Sequence, residues 1–225
     1  MSFGEAIKAL TKHDERVQST KPMAKEEKQE QPLVMPERAE NNRRVFAYLN
    51  RTRGIPIPMI QELIKEKLLY QDKKGNAIFV CRDKSGEVRG AMIRGTLTDK
   101  SFKQRMGSGL FPFVWGAAAG KTTMTLTEAP IEALSLATLH PEIRQTILVS
   151  LGGIDFMSSV EKLLEQYPIK RLILSFNNDE PGREAIQRFT QRFGQQVEVK
   201  AFLPSAADWN EQLLSFKRES RCFER

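Results

Sequence analysis

The sequence predicts an α/β fold: a compact four-stranded parallel sheet with flanking helices, preceded by a small α+β subdomain. Three observations carry this. From residue 122 to 204, short apolar β-rich runs alternate with helical patterns. Two of those runs, TMTLT and RLILSF, are followed at once by polar, acidic residues, which is how a parallel sheet presents a site at the carboxyl ends of its strands. Upstream, residues 68–94 read as short strands separated by DKKGN and DKSGE, two turns with the Asp and Gly that hairpins favour.

Taken in order, Ser2 and Glu5 form a capping box, and Phe3, Ile7 and Leu10 share a helical face. Residues 13–40 are polar, charged and punctuated by Pro22, Pro32 and Pro36, so 1–40 reads as a short helix and a flexible linker. A subdomain at 41–119 begins with two helices. Val45, Tyr48 and Leu49 mark the first, which Gly54 stops; Pro56 and Pro58 open the second, marked by Ile60, Leu63 and Ile64. Strands at 68–70, 77–82 and 88–94 follow. GAAAGKTT resembles a phosphate loop but is not one, because only three residues separate its glycines and a strand follows. Phe111, Phe113 and Trp115 are expected to pack the join to the next domain.

The third region, 120–205, carries the sheet. Strands are expected at 123–127, 146–150, 171–176 and 196–203. Helices between them bury Ile131 and Leu134, then Val160 and Leu163, then Ile186, Phe189 and Phe193. Right-handed crossovers place every helix-leading loop on one edge. Residues 206–225 read as a charged tail, frayed from Leu214 onward.

Composition narrows the function. An apolar content of 40% over 225 residues supports a packed core, and a net charge of +7 suits a polyanionic partner. There is no apolar run long enough to span a bilayer and no basic-then-apolar leader, so a soluble, cytoplasmic protein with no membrane partner is expected. Two cysteines, Cys81 and Cys222, and two histidines, His13 and His140, are too scattered for a disulfide framework or a zinc ribbon.

The strand ends carry Glu128, then Asn177, Asp179 and Gly182. Carboxylates gathered at neighbouring strand ends repel one another, so a divalent cation is the natural way to hold them. Hard oxygen ligands favour magnesium.

TEAPIEAL, the strand ending NNDEPG and the later ADWNEQL together resemble the Toprim domain, whose pattern has a lone Glu and then Asp-x-Asp-x-x-Gly. Within that superfamily the arrangement is most similar to bacterial and plasmid DNA primases and primase-like proteins of mobile elements. AYLNRTRGIP, NAIFVCRDKSGEVRGAMIRG and SFKQRMGSG resemble the region that precedes Toprim in primases. The resemblance implies that Glu128 transfers a proton and that Asp179, with Glu128, is catalytic. It also implies Mg2+ held by Glu128, Asn177, Asp179 and Asp208, and phosphate contacts from Arg94 on the last strand, Lys103 in the following loop and Arg105. Single-stranded DNA template and nucleoside triphosphates would be the partners, with replication or mobilisation proteins beside them. Asn177 stands where the family has its first Asp; an amide oxygen still coordinates a cation but brings no charge, and Glu180 or Asp208 would have to compensate. Primases of this type commonly add an N-terminal zinc module, for which this sequence has no ligand set. Three readings stay open: a primer-synthesising enzyme, a catalytically impaired nucleic-acid-binding module, and a Toprim nuclease.

Overall fold

The structure, a computed structural model, describes residues 33–97, 99–107, 110–153 and 156–223. The capping-box helix and most of the expected linker lie outside these residues. Residues 33–40, expected to continue the linker, instead run beside the first strand: the Tyr70 hydroxyl donates to the Pro36 carbonyl at 2.8 Å, and the Ala39 amide donates to the Gln71 carbonyl at 2.8 Å.

Helix α1 (Arg43–Ala47) runs directly into a π-helical turn, Tyr48–Thr52, and Gly54 ends it with φ of 73°, a left-handed value that glycine adopts at no steric cost. Helix α2 is Ile57–Lys65, entered through Pro56 and Pro58. An antiparallel sheet follows in the order β1 (Leu69–Gln71), β2 (Ala77–Arg82), β3 (Val88–Arg94) and β4 (Lys103–Gly107). The fourth strand was not expected. Its sequence, KQRMG, lacks alternation and has no fully buried residue, so nothing in its pattern marks it as a strand. Consequently Lys103 is not in a loop: it pairs directly with Arg94 across the β3–β4 ladder.

The second sheet has five strands, not four: β5 (Phe113–Trp115), β6 (Thr123–Thr127), β7 (Ile147–Ser150), β8 (Arg171–Leu174) and β9 (Glu198–Ala201), in the order β5-β7-β6-β8-β9. The last four are mutually parallel, as expected. The added strand, β5, is antiparallel to β7, so the sheet is mixed; three residues are too few to show a period. Phe113 and Trp115 are buried, and Phe113 meets Phe79 of β2 edge-on at 5.6 Å, which joins the two sheets.

Alternation along the strands builds two layers. Met124, Leu126, Ile147, Val149, Leu172 and Leu174 face a core closed by α4 (Met157–Gln166) and α5 (Glu180–Phe193). On the other face, α3 (Pro130–Leu139) packs with α6 (Trp209–Phe223) in a core continuous with the N-terminal residues Val45, Leu49, Ile60 and Phe79. That last helix corrects the expected tail. Trp209 and Leu213 are buried in this core, and the Trp209 indole donates to the Ser175 carbonyl at 3.2 Å. The net hydrophilicity of the segment hides two anchors one helical turn apart.

The chain leaves β6 by α3 toward β7 and then crosses back by α4 to β8 on the other side of β6. The order therefore reverses at β6, and a crevice opens beyond the carboxyl ends of β6 and β8.

Candidate active site

Glu128 directly follows β6 and Asn177 lies three residues beyond β8, so the switch point brings them together. The Asn177 amide donates to Glu128 Oε1 at 2.9 Å and its Nδ2 donates to Oε2 at 3.2 Å, tying both carboxylate oxygens. Gly182 permits the tight loop that does this: a Cβ there would sit 2.1 Å from the Asn177 carbonyl oxygen. With Nδ2 committed, the Asn177 Oδ1 is buried and has no hydrogen-bond partner among the described residues, a group that ordinarily costs free energy unless a donor or cation meets it.

A cavity of about 430 Å³ opens here. Glu128, Asn177, Glu132 and Asp208 line it together with the cations Arg53, Arg94, Lys103 and Arg105. Six of the seven residues singled out from the sequence thus meet in one crevice. Asp179 does not line it. Its Oδ1 accepts from the Gly182 amide at 2.8 Å as the N-cap of α5, the role a helix start offers a carboxylate. Asp208 caps α6 in the same way, accepting from the Glu211 amide at 2.7 Å, while still facing the cavity.

The electrostatics are mixed. Burial pushes the Glu128 carboxyl above its ordinary range and the charges of Asp179 and Asp208 push it further, while the Asn177 amide and Lys103 pull it down. Arg105 is a clamp more than a free cation: its guanidinium donates to the carbonyls of Leu151 and Phe111 and stands 4.3 Å from the Phe156 ring centroid. Burial lowers its pKa.

Four further residues matter that the sequence reading passed over. Glu132, one turn after Glu128, is pushed up to about 7, first by burial and then by Asp208. Its Oε2 accepts from the Trp209 amide at 2.9 Å and the Asn210 amide at 3.3 Å, fixing the start of α6. Arg53, Tyr48 and Asn210 form a connected hydrogen-bonded set. The four-residue spacing of Glu128 and Glu132 across Pro130 was visible; the meeting of Arg53 with Asn210 across 157 positions was not.

Among the described residues no three carboxylate, imidazole or thiolate side chains are gathered as a ready-made metal centre. The donors nevertheless fit one hard cation: the orphaned Asn177 Oδ1 together with the carboxylates of Glu128 and Asp208 is an all-oxygen set of the kind magnesium takes, with water completing it.

Comparison with known proteins bears on the fold. Residues 125–213 match the family model described as Toprim-like, and residues 47–117 match one described as a protein of unknown function (DUF3991). The fold is similar to the primase fragment of the bacteriophage T7 primase-helicase protein, with TM-score 0.58 and 20% identity, covering 74% of this chain and 69% of that one. It is also similar to the RNA polymerase domain of Mycobacterium tuberculosis primase DnaG, with TM-score 0.51 and 17% identity, covering 78% and 73%. The uncharacterised protein pXO2-78 of Bacillus anthracis is 25% identical over 203 residues, covering 75% of this chain and 56% of that protein. This chain therefore spans little more than half the length of that relative. Residues 125–213, which carry the acidic residues at the switch point of the parallel sheet, are thus similar to the Toprim-like family. The fold of the chain resembles that of the primase catalytic cores.

Proposed function

We propose that this chain is a primase-like Toprim protein that acts on DNA by magnesium-dependent nucleotidyl transfer, making primers in plasmid or other mobile-element replication or transfer. The observation that carries this is that Glu128, with its raised pKa, shares one cavity at the switch point with Arg53, Arg94 and Lys103. Glu128 is a stronger base than an ordinary exposed carboxylate and is oriented by two bonds from Asn177, which suits it to take the proton of an attacking 3′ hydroxyl. Arg53, Arg94 and Lys103 bind phosphate groups of the template and the incoming nucleoside triphosphate. Asn177 Oδ1, Glu128 and Asp208 would hold magnesium, which supplies charge neutralisation on the triphosphate when bound. Asp179 supports the site by capping α5.

Single-stranded DNA and nucleoside triphosphates are the proposed partners, with replication or mobilisation proteins beside them. T7 primase domains at TM-score 0.52 are described as bound to an RNA/DNA hybrid and dTTP, in a complex with the T7 lagging-strand DNA polymerase. A cytoplasmic location follows from this role; no helix among the described residues is long and apolar enough to cross a membrane. The designation pXO2-78 of the Bacillus anthracis relative supports the plasmid setting.

A second reading, a catalytically impaired nucleic-acid-binding module, is favoured by the way Asn177 occupies both oxygens of Glu128. Incorporation of labelled nucleotides on a single-stranded template with magnesium separates the two. The enzyme reading expects incorporation that Glu128→Gln reduces at least about a hundredfold. Salt-sensitive template binding with no incorporation by the wild-type protein would leave the module.

A further inference from the structure

Two of the cavity's cations converge on one neutral oxygen. Tyr48 is the first residue of the π-helical turn and is only 4% exposed. Its hydroxyl accepts from Nε of Arg53 at 2.9 Å and from Nε of Arg94 at 3.2 Å, and the Arg53 guanidinium carbon lies 5.2 Å from the Tyr48 ring centroid. Asn210, 2% exposed, holds Arg53 from the other side. Its Oδ1 accepts from Arg53 Nη1 at 3.1 Å, while its Nδ2 donates to the Arg53 carbonyl at 2.8 Å and to Ser135 Oγ at 3.0 Å.

The chemistry of these orienting groups is informative. On this chain's surface Arg144 is neutralised by Glu62 and Arg171 by Glu198. Arg53 and Arg94 are oriented by a phenol and an amide, which fix direction without cancelling charge. Two like charges held on one acceptor repel each other, and an anion bridging them removes that repulsion. Among the described residues Arg53 bonds through Nε and Nη1 and Arg94 through Nε, which leaves Nη2 of Arg53 and both Nη atoms of Arg94 as donors for such a ligand. Lys103, paired with Arg94 across β3 and β4, adds a third positive charge in the same cavity.

We propose that Tyr48 and Asn210 are positioning residues that hold Arg53 beside Arg94 as a single two-guanidinium grip for adjacent phosphate groups of a polyphosphate. This rests on the reading that the cavity accepts phosphate groups. The π-helical turn is the device that makes the grip, because it carries both Tyr48 and the approach to Arg53.

Adjacent phosphates are presented both by a triphosphate tail and by a strand backbone, so two probes are titrated in chelator: inorganic tripolyphosphate and a twelve-residue oligothymidylate. Tyr48→Phe keeps the buried ring and removes the acceptor; it is expected to weaken tripolyphosphate binding about tenfold. The penalty is expected to vanish when Arg53 and Arg94 are both lysine, since the phenol then has no guanidinium to orient. Asn210→Asp keeps an acceptor for Arg53 but neutralises it, so tripolyphosphate affinity is expected to fall; because the carboxylate also loses the bonds donated to the Arg53 carbonyl and Ser135 Oγ, affinity is read well below the variant's melting temperature, where a purely structural role would leave it unchanged. The proposal is overturned if wild-type protein fails to bind tripolyphosphate, if both variants bind it as the wild type does, or if the Tyr48→Phe penalty persists in the double-lysine background. Loss for oligothymidylate alone overturns the polyphosphate assignment. These titrations need no turnover: Tyr48-dependent binding by a chain that incorporates no nucleotide would refute the enzyme reading and leave the grip standing.

Discussion

Replacing Glu132 with Gln should remove a specific pH dependence from the stability of the fold. The Glu132 carboxyl is raised from 4.5 to about 7, chiefly by burial and secondly by the charge of Asp208. The folded protein therefore holds this proton more tightly than the unfolded chain, so the stabilisation is fully present below pH 4.5. It is lost as pH rises through about 7, where the folded state must accept a buried charge. At about 1.4 kcal/mol per tenfold change in proton affinity, the contribution is about 3 kcal/mol. Gln keeps an oxygen to accept from the Trp209 and Asn210 amides, so the variant retains the α6 cap without the titration. Urea unfolding in chelator between pH 5 and 8 measures it: the wild type should lose about 2 kcal/mol more than Glu132→Gln across that range. Parallel curves for the two proteins would refute the reasoning, and a steeper loss in the variant would reverse its sign.

Asn177→Asp places a carboxylate against Glu128 where an amide now donates to it. Without metal the variant should be less stable by about 2 kcal/mol, with magnesium restoring stability and binding more tightly than to the wild type; calorimetric titration and melting in chelator check both, and unchanged metal affinity would misplace the site. Gly182→Ala drives a Cβ to 2.1 Å from the Asn177 carbonyl oxygen. The loop must shift, which should cost about 2 kcal/mol of unfolding free energy and loosen the Glu128 contact; a variant as stable as the wild type would show that the loop is not under this constraint.

The parallel core of the sheet was legible because strands such as ILVS and TMTLT are short aliphatic or β-branched runs bounded by helical periodicity. The carboxyl-end rule then placed Glu128 and Asn177 at one edge without any three-dimensional information. β4 and β5 were not legible. Each is held by pairing with a neighbour rather than by its own pattern, and β4 buries nothing completely. The start of α6 was misread for a related reason: its charged face dominates the composition, while Trp209 and Leu213 do the docking. Asp179 shows the limit of a matched motif. The spacing put a carboxylate in the loop after β8, where its Oδ1 accepts from the amide three residues later. Arg105 lines the cavity but is committed to the carbonyls of Leu151 and Phe111. Tyr48, Arg53, Asn210 and Glu132 are connected only because the π-helical turn, α3 and α6 converge, a long-range fact that no local window contains.

The proposed divalent cation would sit at the rim of the sheet, held by Asn177 Oδ1 with Glu128 and Asp208. Anomalous scattering from crystals grown with manganese and a short single-stranded oligonucleotide tests this placement most directly. The account predicts a peak within about 2.2 Å of Asn177 Oδ1 and in contact with Glu128, absent in Glu128→Gln. A well-occupied manganese elsewhere, with the Asn177 oxygen still facing protein alone, would contradict it.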